Sequence, residues 1–375
     1  MIKRAFSTLY TVYGGQFGSE GKGQITRFIA TKSMRRRGNG PDSLIAYRIG
    51  GPNAGHTFYV NDKKIVTCQI PGPMFLHHGI LGVLGPEAVI SLPTLEKELN
   101  SLIEQNESRK SLYPQYSNLM IDRSAVIISE EQQKAEGALV KNIGSTGKGV
   151  GAATADKVLR NDKTTTALNS DALKTLITQF DPKVHIIVTD TINAVKNWTR
   201  GTMNYDAIIE GTQGSGLSLH TSGYFPFTTS RECTPQGIWA GCGLHPSMAV
   251  KSESVMVIRT YPIRVAGSSG PMNNETNWEV ISKQIGREVK EITTVTQNTR
   301  RVSEIDLVEL KRTVWFTRPD CIALTFLDYI DPEVYKKNPN NSVICREYVE
   351  NLQKELQVPV SYVSTGEGCV YDWLQ

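Results

Sequence analysis

Seven apolar, β-rich runs recur along the chain, at residues 9–13, 44–49, 119–122, 184–189, 207–210, 255–259 and 321–327. They are nearly continuous in hydrophobicity rather than alternating, as strands buried on both faces are, and several end in glycines or a carboxylate. Helical patterns lie between them, for example at 23–34 and 303–314. This succession predicts an α/β fold: a large, mostly parallel central sheet with helices on both faces and smaller satellite β elements. In such a sheet, functional loops gather at the carboxyl ends of the strands. Three polar, proline-interrupted stretches, 104–117, 267–277 and 331–342, read as surface insertions. With no internal repeat and no low-complexity linker, residues 1–375 are expected to form a single elaborated α/β domain.

Composition narrows the function classes. The 41 Lys+Arg against 37 Asp+Glu leave a net charge of +4, too weak and too dispersed for a nucleic-acid partner but suited to small anionic substrates. Cys68, Cys233, Cys242, Cys321, Cys345 and Cys369 are scattered, with no C-x-x-C pair and no histidine at zinc-finger spacing. They read as reduced structural thiols in a cytosol. No run reaches the ~18 apolar residues a membrane span needs, and the apolar part of the amino terminus is too short for a signal peptide. The expectation is a cytoplasmic protein without a membrane or nucleic-acid partner.

The first run is followed by Gly14-Gly15-Gln16-Phe17-Gly18-Ser19-Glu20-Gly21-Lys22-Gly23-Gln24 and then by a helical pattern. In that context backbone amides and a helix amino terminus cradle phosphates, and Lys22 adds a point charge. The spacing differs from G-x-x-x-x-G-K-[ST]: Gln16 stands at the first glycine and Gly23 at the hydroxyl residue that holds Mg²⁺.

Gly18 through Gly23, together with Gly50-Gly51-Pro52-Asn53-Ala54-Gly55-His56-Thr57, resembles the adenylosuccinate synthetase family, whose first loop reads W-G-D-E-G-K-G-K and whose second reads G-G-x-N-A-G-H-T. Further matches follow in order. They are Ile143-Gly144-Ser145-Thr146-Gly147-Lys148-Gly149-Val150-Gly151, Asp156-Lys157-Val158 with Arg160, Glu210-Gly211-Thr212-Gln213-Gly214, and Tyr224-Phe225-Pro226 leading to Thr229-Ser230. Then come Arg264-Val265-Ala266-Gly267, Thr296 through Arg301 beside T-G-R-R-R-R, Leu324-Thr325-Phe326-Leu327-Asp328 beside T-K-L-D, and Ser364-Thr365-Gly366. The resemblance runs nearly end to end and is to the short, archaeal-like form.

This resemblance implies a ligase that phosphorylates a purine monophosphate at its 6-oxygen and then displaces phosphate with the amine of aspartate. Carried over residue by residue, it implies a catalytic set of Ser19, Lys22, His56 and Gln213, with His56 as general acid on the transferring phosphoryl. The triphosphate would lie on Gly18, Glu20, Gly21, Lys22, Gly23, Gly55, His56 and Thr57, its base beside Asp328, Ser364 and Gly366. Mg²⁺ would be held by the Gly55 carbonyl, with Ser19 a doubtful second ligand. Ser19, Asn53, Ser145, Thr146, Gln213, Thr229 and Val265 would hold the monophosphate. Arg160 would reach the 5′-phosphate of a neighbouring subunit's site, which implies a homodimer. Thr296 and Arg300 would grip the carboxylates of aspartate, where a guanidinium fork suits the ligand.

Three departures bear on substrate choice. Ser19 stands where the family has the aspartate that removes the N1 proton of IMP and ligates Mg²⁺, and a serine hydroxyl is far too weak an acid for either task. The space it frees suits a purine with a 2-amino group. Serine here resembles the bacteriophage branch of the family, which condenses dGMP with aspartate toward 2-aminoadenine DNA. Asn298 replaces an arginine near the sugar hydroxyls, which suits a deoxynucleotide, and Phe326 replaces the lysine of T-K-L-D, favouring ATP or dATP over GTP as donor. The N1 proton would go to a water held by Ser19 or to a phosphate oxygen. Two other readings stay open: an ordinary adenylosuccinate synthetase using IMP and GTP, and a catalytically silent nucleotide-binding homologue.

Overall fold

The seven apolar runs all become strands of one ten-stranded sheet. The structure, a computed structural model, describes residues 4–37, 43–108, 116–137, 145–200, 205–292 and 299–373. In spatial order the strands are Val370–Asp372, Val360–Ser364, Cys321–Thr325, Ala249–Arg259, Phe6–Gly14, Asp206–Glu210, Leu44–Arg48, Leu81–Leu84, Ser117–Asp122 and Val184–Thr189. Every neighbouring pair is parallel except the edge pair Val360–Ser364 and Val370–Asp372. Successive residues of a strand feed opposite layers: Tyr10, Val12, Leu44, Ala46 and Ile208 pack in one core, Leu9, Tyr13, Ile45, Tyr47 and Ile209 in the other. Burial on both faces explains why these strands read as unbroken apolar runs.

Boundaries differ from the sequence expectation where side chains intervene. The run at 321–327 leaves the sheet after Thr325, because Phe326 takes a left-handed backbone (φ 60°) and starts the short turn Leu327–Tyr329. The helical pattern at 303–314 forms a helix only over Leu307–Thr317. Asp306 caps it, accepting from the amides of Val308 and Glu309, while Arg301–Ser303 pairs as a strand. The helix expected at 23–34 spans Lys22–Arg37.

The satellite β elements are a hairpin of His56–Val60 with Lys63–Thr67, a three-stranded sheet of Ile263–Arg264, Arg301–Ser303 and Glu275–Thr276, and a short parallel pair, Val89–Ile90 with Val126–Ile127. Two expected surface insertions are partly built into the body: Met272 is buried in 267–277, and Val334 and Pro339 are buried in 331–342. All six cysteines are free. Among the described residues, no helix is long and apolar enough to cross a membrane.

Six neighbouring strands, ending at Ser364, Thr325, Arg259, Gly14, Glu210 and Arg48, deliver the motif loops to one edge of the sheet. That is where a parallel sheet leaves room for a ligand.

Candidate active site

The loop after the first strand is folded around its own carboxylate. Glu20 is fully buried; its Oε1 accepts from the amides of Gly18 (2.7 Å) and Gln16 (3.3 Å), and its Oε2 takes Lys22 Nζ at 2.5 Å. The Glu20 side chain thus shapes the loop from inside, leaving only its backbone for a triphosphate. Gly18 (φ 90°), Ser19 (φ 56°) and Gly21 (φ 89°) all take positive φ, so the loop turns sharply on these three residues before the helix begins. Thr325 Oγ1 locks the loop to the neighbouring strand through the Glu20 carbonyl at 2.7 Å.

Gly23 explains the departure from the common phosphate-loop spacing. A Cβ there would stand 3.0 Å from His56 Cβ and 3.0 Å from the Thr57 carbonyl oxygen, so a hydroxyl residue would push the His56 hairpin back by a few tenths of an ångström. The helix start and the His56 hairpin are pressed together at this point.

His56 is itself held by two strand ends that face each other in register, Arg48 and Glu210. Its Nδ1 lies 2.5 Å from Glu210 Oε1 and 2.7 Å from Arg48 Nη1, with Arg48 and Glu210 paired at 3.1 Å. An N···O separation that short requires a proton between the atoms, so Nδ1–H donates to Glu210 while the Arg48 guanidinium stands beside it as the ion-pair partner of the same carboxylate. Nε2 is left as the ring's remaining polar atom. Burial, then the Arg48 charge, pushes the imidazole pKa down to about 4. Burial alone would raise the Glu210 carboxyl, but Arg48 and His56 hold it at about 2. At neutral pH the trio is therefore Arg48⁺, Glu210⁻ and neutral His56.

The residues expected to hold a monophosphate converge beside this trio. Gly51 backs onto Val150, and Gly151 faces Ser230, which brings the 50–53, 145–151 and 229–230 segments together. Glu136 caps the helix Val150–Leu159, accepting from the amides of Gly149 at 2.7 Å, of Gly151, and of Ala152 at 3.3 Å. Gln213, with a left-handed backbone (φ 54°), lies against Gly18 of the phosphate loop. Val265 accepts from Ser269 Oγ at 2.5 Å, next to Arg264, whose guanidinium lies beside the edge-to-face pair Phe17 and Tyr224, 4.1 and 4.9 Å from their ring centroids. Arg160 is not brought into this cluster. It is exposed at the far end of the helix Val150–Leu159, roughly 15 Å along the axis at 1.5 Å per residue.

Arg300 reaches the phosphate loop: its Nη1 donates to Ser19 Oγ at 3.0 Å. Thr296, the other residue expected to grip aspartate, lies outside the described residues, as does Asn298. Asp328 is buried and paired with Arg287, its pKa raised by burial, with Ser364 and Gly366 on the adjoining strand end. Phe326 stacks on the Arg259 guanidinium, 3.9 Å from the ring centroid.

The sequence profile of the adenylosuccinate synthetase family matches residues 11–180 and 162–336, most of the chain. This chain belongs to the adenylosuccinate synthetase family. It is 32% identical over 324 residues to the N6-succino-2-amino-2′-deoxyadenylate synthase of Vibrio phage phiVC8, covering 84% of this chain and 85% of that one. It is 31% identical over 371 residues to the adenylosuccinate synthetase of Methanocaldococcus jannaschii, covering 98% and 96%. Its fold is that of the succinoaminodeoxyadenylate synthetase of cyanophage S-2L, solved with dGMP and dATP as energy donor; the TM-score is 0.78 at 24% identity, over 99% of this chain and 96% of that one. The chain is thus a carbon–nitrogen ligase of this family, and its sheet is the family's sheet.

Within that family frame, Mg²⁺ is a hard cation that keeps several waters and binds largely through substrate phosphates. The two oxygens the resemblance implies as its ligands, the Gly55 carbonyl and the Ser19 hydroxyl, are both neutral. Among the described residues no three His, Cys, Asp or Glu side chains form a metal-holding group. Such a donor set fits an ion whose remaining ligands are phosphate oxygens and waters.

Sequence reasoning missed the residues behind the site. Arg48, Arg259, Glu291 and Arg287 each hold a site residue in place. Arg48 and Arg259 carried a signal: each is a charged residue closing an otherwise apolar strand, and each side chain is almost completely buried. A buried cation there requires a partner at the strand's carboxyl end.

Proposed function

We propose that this chain condenses dGMP with L-aspartate, driven by ATP or dATP, to give N6-succino-2-amino-2′-deoxyadenylate. The observation that carries the reading is Ser19. Phage synthases and archaeal adenylosuccinate synthetases match the chain at nearly the same identity, so residue 19 makes the choice. Its side chain is exposed at the mouth of the loop. With no carboxylate there, the purine side of the loop has room for an exocyclic 2-amino group.

The chemistry follows from the site. The amides of the 18–23 loop and Lys22 receive the donor's phosphates, the positioning and charge stabilisation on which phosphoryl transfer depends. The Gly55 carbonyl, with Ser19 the doubtful second ligand, would hold Mg²⁺, which would supply neutralisation of the charge on the donor's phosphates. An arriving polyanion raises the His56 pKa from its depressed value, so the ring takes a second proton on Nε2 and donates to the transferring group. As its N1 proton passes to a water held by Ser19 or to a phosphate oxygen, the 6-oxygen of dGMP attacks the γ-phosphorus, the β–γ P–O bond breaks and the nucleoside diphosphate leaves, giving the 6-phosphoryl purine. Arg300 then orients aspartate, whose free amine displaces phosphate at C6. Arg160, remote from its own chain's cluster, serves the site of a second copy in a homodimer.

Phosphate release should require dGMP and aspartate together, and should be at least about tenfold slower with IMP, a difference of about 1.4 kcal/mol. Equal or faster turnover of IMP would overturn the dGMP reading in favour of ordinary adenylosuccinate synthesis. No release with either nucleotide would favour the silent homologue.

A further inference from the structure

Arg259 ends the strand Ala249–Arg259, and its side chain is fully buried. Its Nη1 donates to the Ser19 carbonyl at 3.1 Å and to Glu291 Oε2 at 3.2 Å, and its Nη2 pairs with Glu291 Oε1. Ser19 in turn accepts from Arg300 through its hydroxyl at 3.0 Å, and the Arg300 amide donates to the Glu291 carbonyl at 2.9 Å. The four residues close a ring, Arg259–Ser19–Arg300–Glu291, that joins the phosphate loop to the segment carrying Arg300. Ser19 is held in this ring with a left-handed backbone, which a serine adopts only when its surroundings impose it.

The ring leaves Arg300 in an unusual state. Nε is fixed on the Ile292 carbonyl at 3.2 Å and Nη1 on Ser19, so the guanidinium plane is set before any ligand arrives. The nearby carboxylate, Glu291, is spent on Arg259. Among the described residues Arg300 has no acidic partner, and its Nη2 makes no hydrogen bond. A half-buried guanidinium with a fixed plane and free donors is matched by a planar, two-oxygen anion.

We infer that the Ser19 hydroxyl and Arg259 are positioning elements that hold Arg300 ready for a carboxylate of the amino-acid substrate, so that the amino-acid site is assembled on the phosphate loop. This rests on the aspartate-dependent reaction proposed above. Ser19 is a neutral acceptor that orients the guanidinium without competing for it.

The test is steady-state kinetics of the full-length enzyme, with whichever of dGMP or IMP the wild type turns over, so that the choice of nucleotide is scored separately. Ser19→Ala should raise KM for L-aspartate at least fivefold, and by at least about threefold more than it raises KM for the nucleotide. Ser19→Asn should recover part of that loss, because asparagine tolerates a left-handed backbone and its amide oxygen can accept from Arg300. If turnover of Ser19→Ala is too slow to follow, calorimetric titration of L-aspartate into enzyme with bound nucleotide replaces it. A KM or Kd for aspartate within twofold of wild type in Ser19→Ala, or equal rises for nucleotide and aspartate, would overturn the inference. A wild type that releases phosphate without aspartate would instead overturn the ligase reading.

Discussion

His56 shows how far a single residue's chemistry depends on what lies beneath it. In the sequence it is a histidine in a glycine-rich loop; in the fold it is buried against a guanidinium and a carboxylate that face each other on neighbouring strands. His56→Ala should therefore slow phosphate release by about a hundredfold or more, as loss of a positioned proton donor does, and the assay with dGMP and aspartate checks it. A second consequence concerns pH. The folded imidazole titrates near 4, below the ordinary 6.5, and the Glu210 carboxyl near 2, below its ordinary 4.5. In both cases the unfolded chain binds the proton first as pH falls. The stability tied to His56 is present in full above pH 6.5 and is lost as pH drops toward 4; that tied to Glu210 is lost between 4.5 and 2. Urea midpoints should fall from pH 7 to pH 5 in the wild type and fall less in His56→Gln, which has no proton to gain.

Among elements, the strands were the most legible. The run 255–259 is apolar and buried on both faces, a pattern that fits a strand in the middle of a covered sheet. Leu81–Leu84 escaped notice because it is four residues long and bounded and interrupted by glycine. Val370–Asp372 escaped because it is an antiparallel edge strand of three residues that keeps polar positions. The motif loops were legible as a set but their internal logic was not. Glu20 reads as a ligand-facing acid in sequence, and only the fold turns it inward under the amides it organises. Gly23 is the clearest case, since its lack of a side chain looks like a departure from a phosphate-loop rule and is in fact a steric requirement of the His56 hairpin. Gly23→Ala places a Cβ 3.0 Å from a backbone oxygen and from His56 Cβ, and overpacking of that kind costs about 1–3 kcal/mol. The hairpin should yield before the central helix does. Melting should therefore show a modest loss of stability, with kcat falling at least tenfold as His56 is displaced; unchanged kcat would show that the contact is slack.

At the scale of the whole molecule, one site residue stands apart from the rest. Arg160 closes the helix Val150–Leu159 at the end remote from the capping Glu136, and just before it Val158 and Leu159 are 71% and 75% exposed. Large apolar side chains held in water at the end of an ordered helix mark a surface that another body covers. In the homodimer proposed above, the same patch of a second chain would cover it, and Arg160 would be carried across to the second chain's monophosphate cluster. Complementation separates this arrangement from one in which Arg160 serves its own chain. His56→Ala and Arg160→Ala each disable a different part of the site, so each homodimer should be slow alone. In a mixture unfolded and refolded at equal concentrations, half the dimers pair one variant with the other. If Arg160 acts across the interface, one site of each mixed dimer combines an intact His56 with an intact Arg160 from its partner. Activity should then recover to about a quarter of the wild-type value. If Arg160 acts within its own chain, every site in the mixture keeps one defect and nothing is recovered. Light scattering on the same sample shows whether dimers are present at all, so a failure to recover activity in a dimeric mixture would count against the shared site itself.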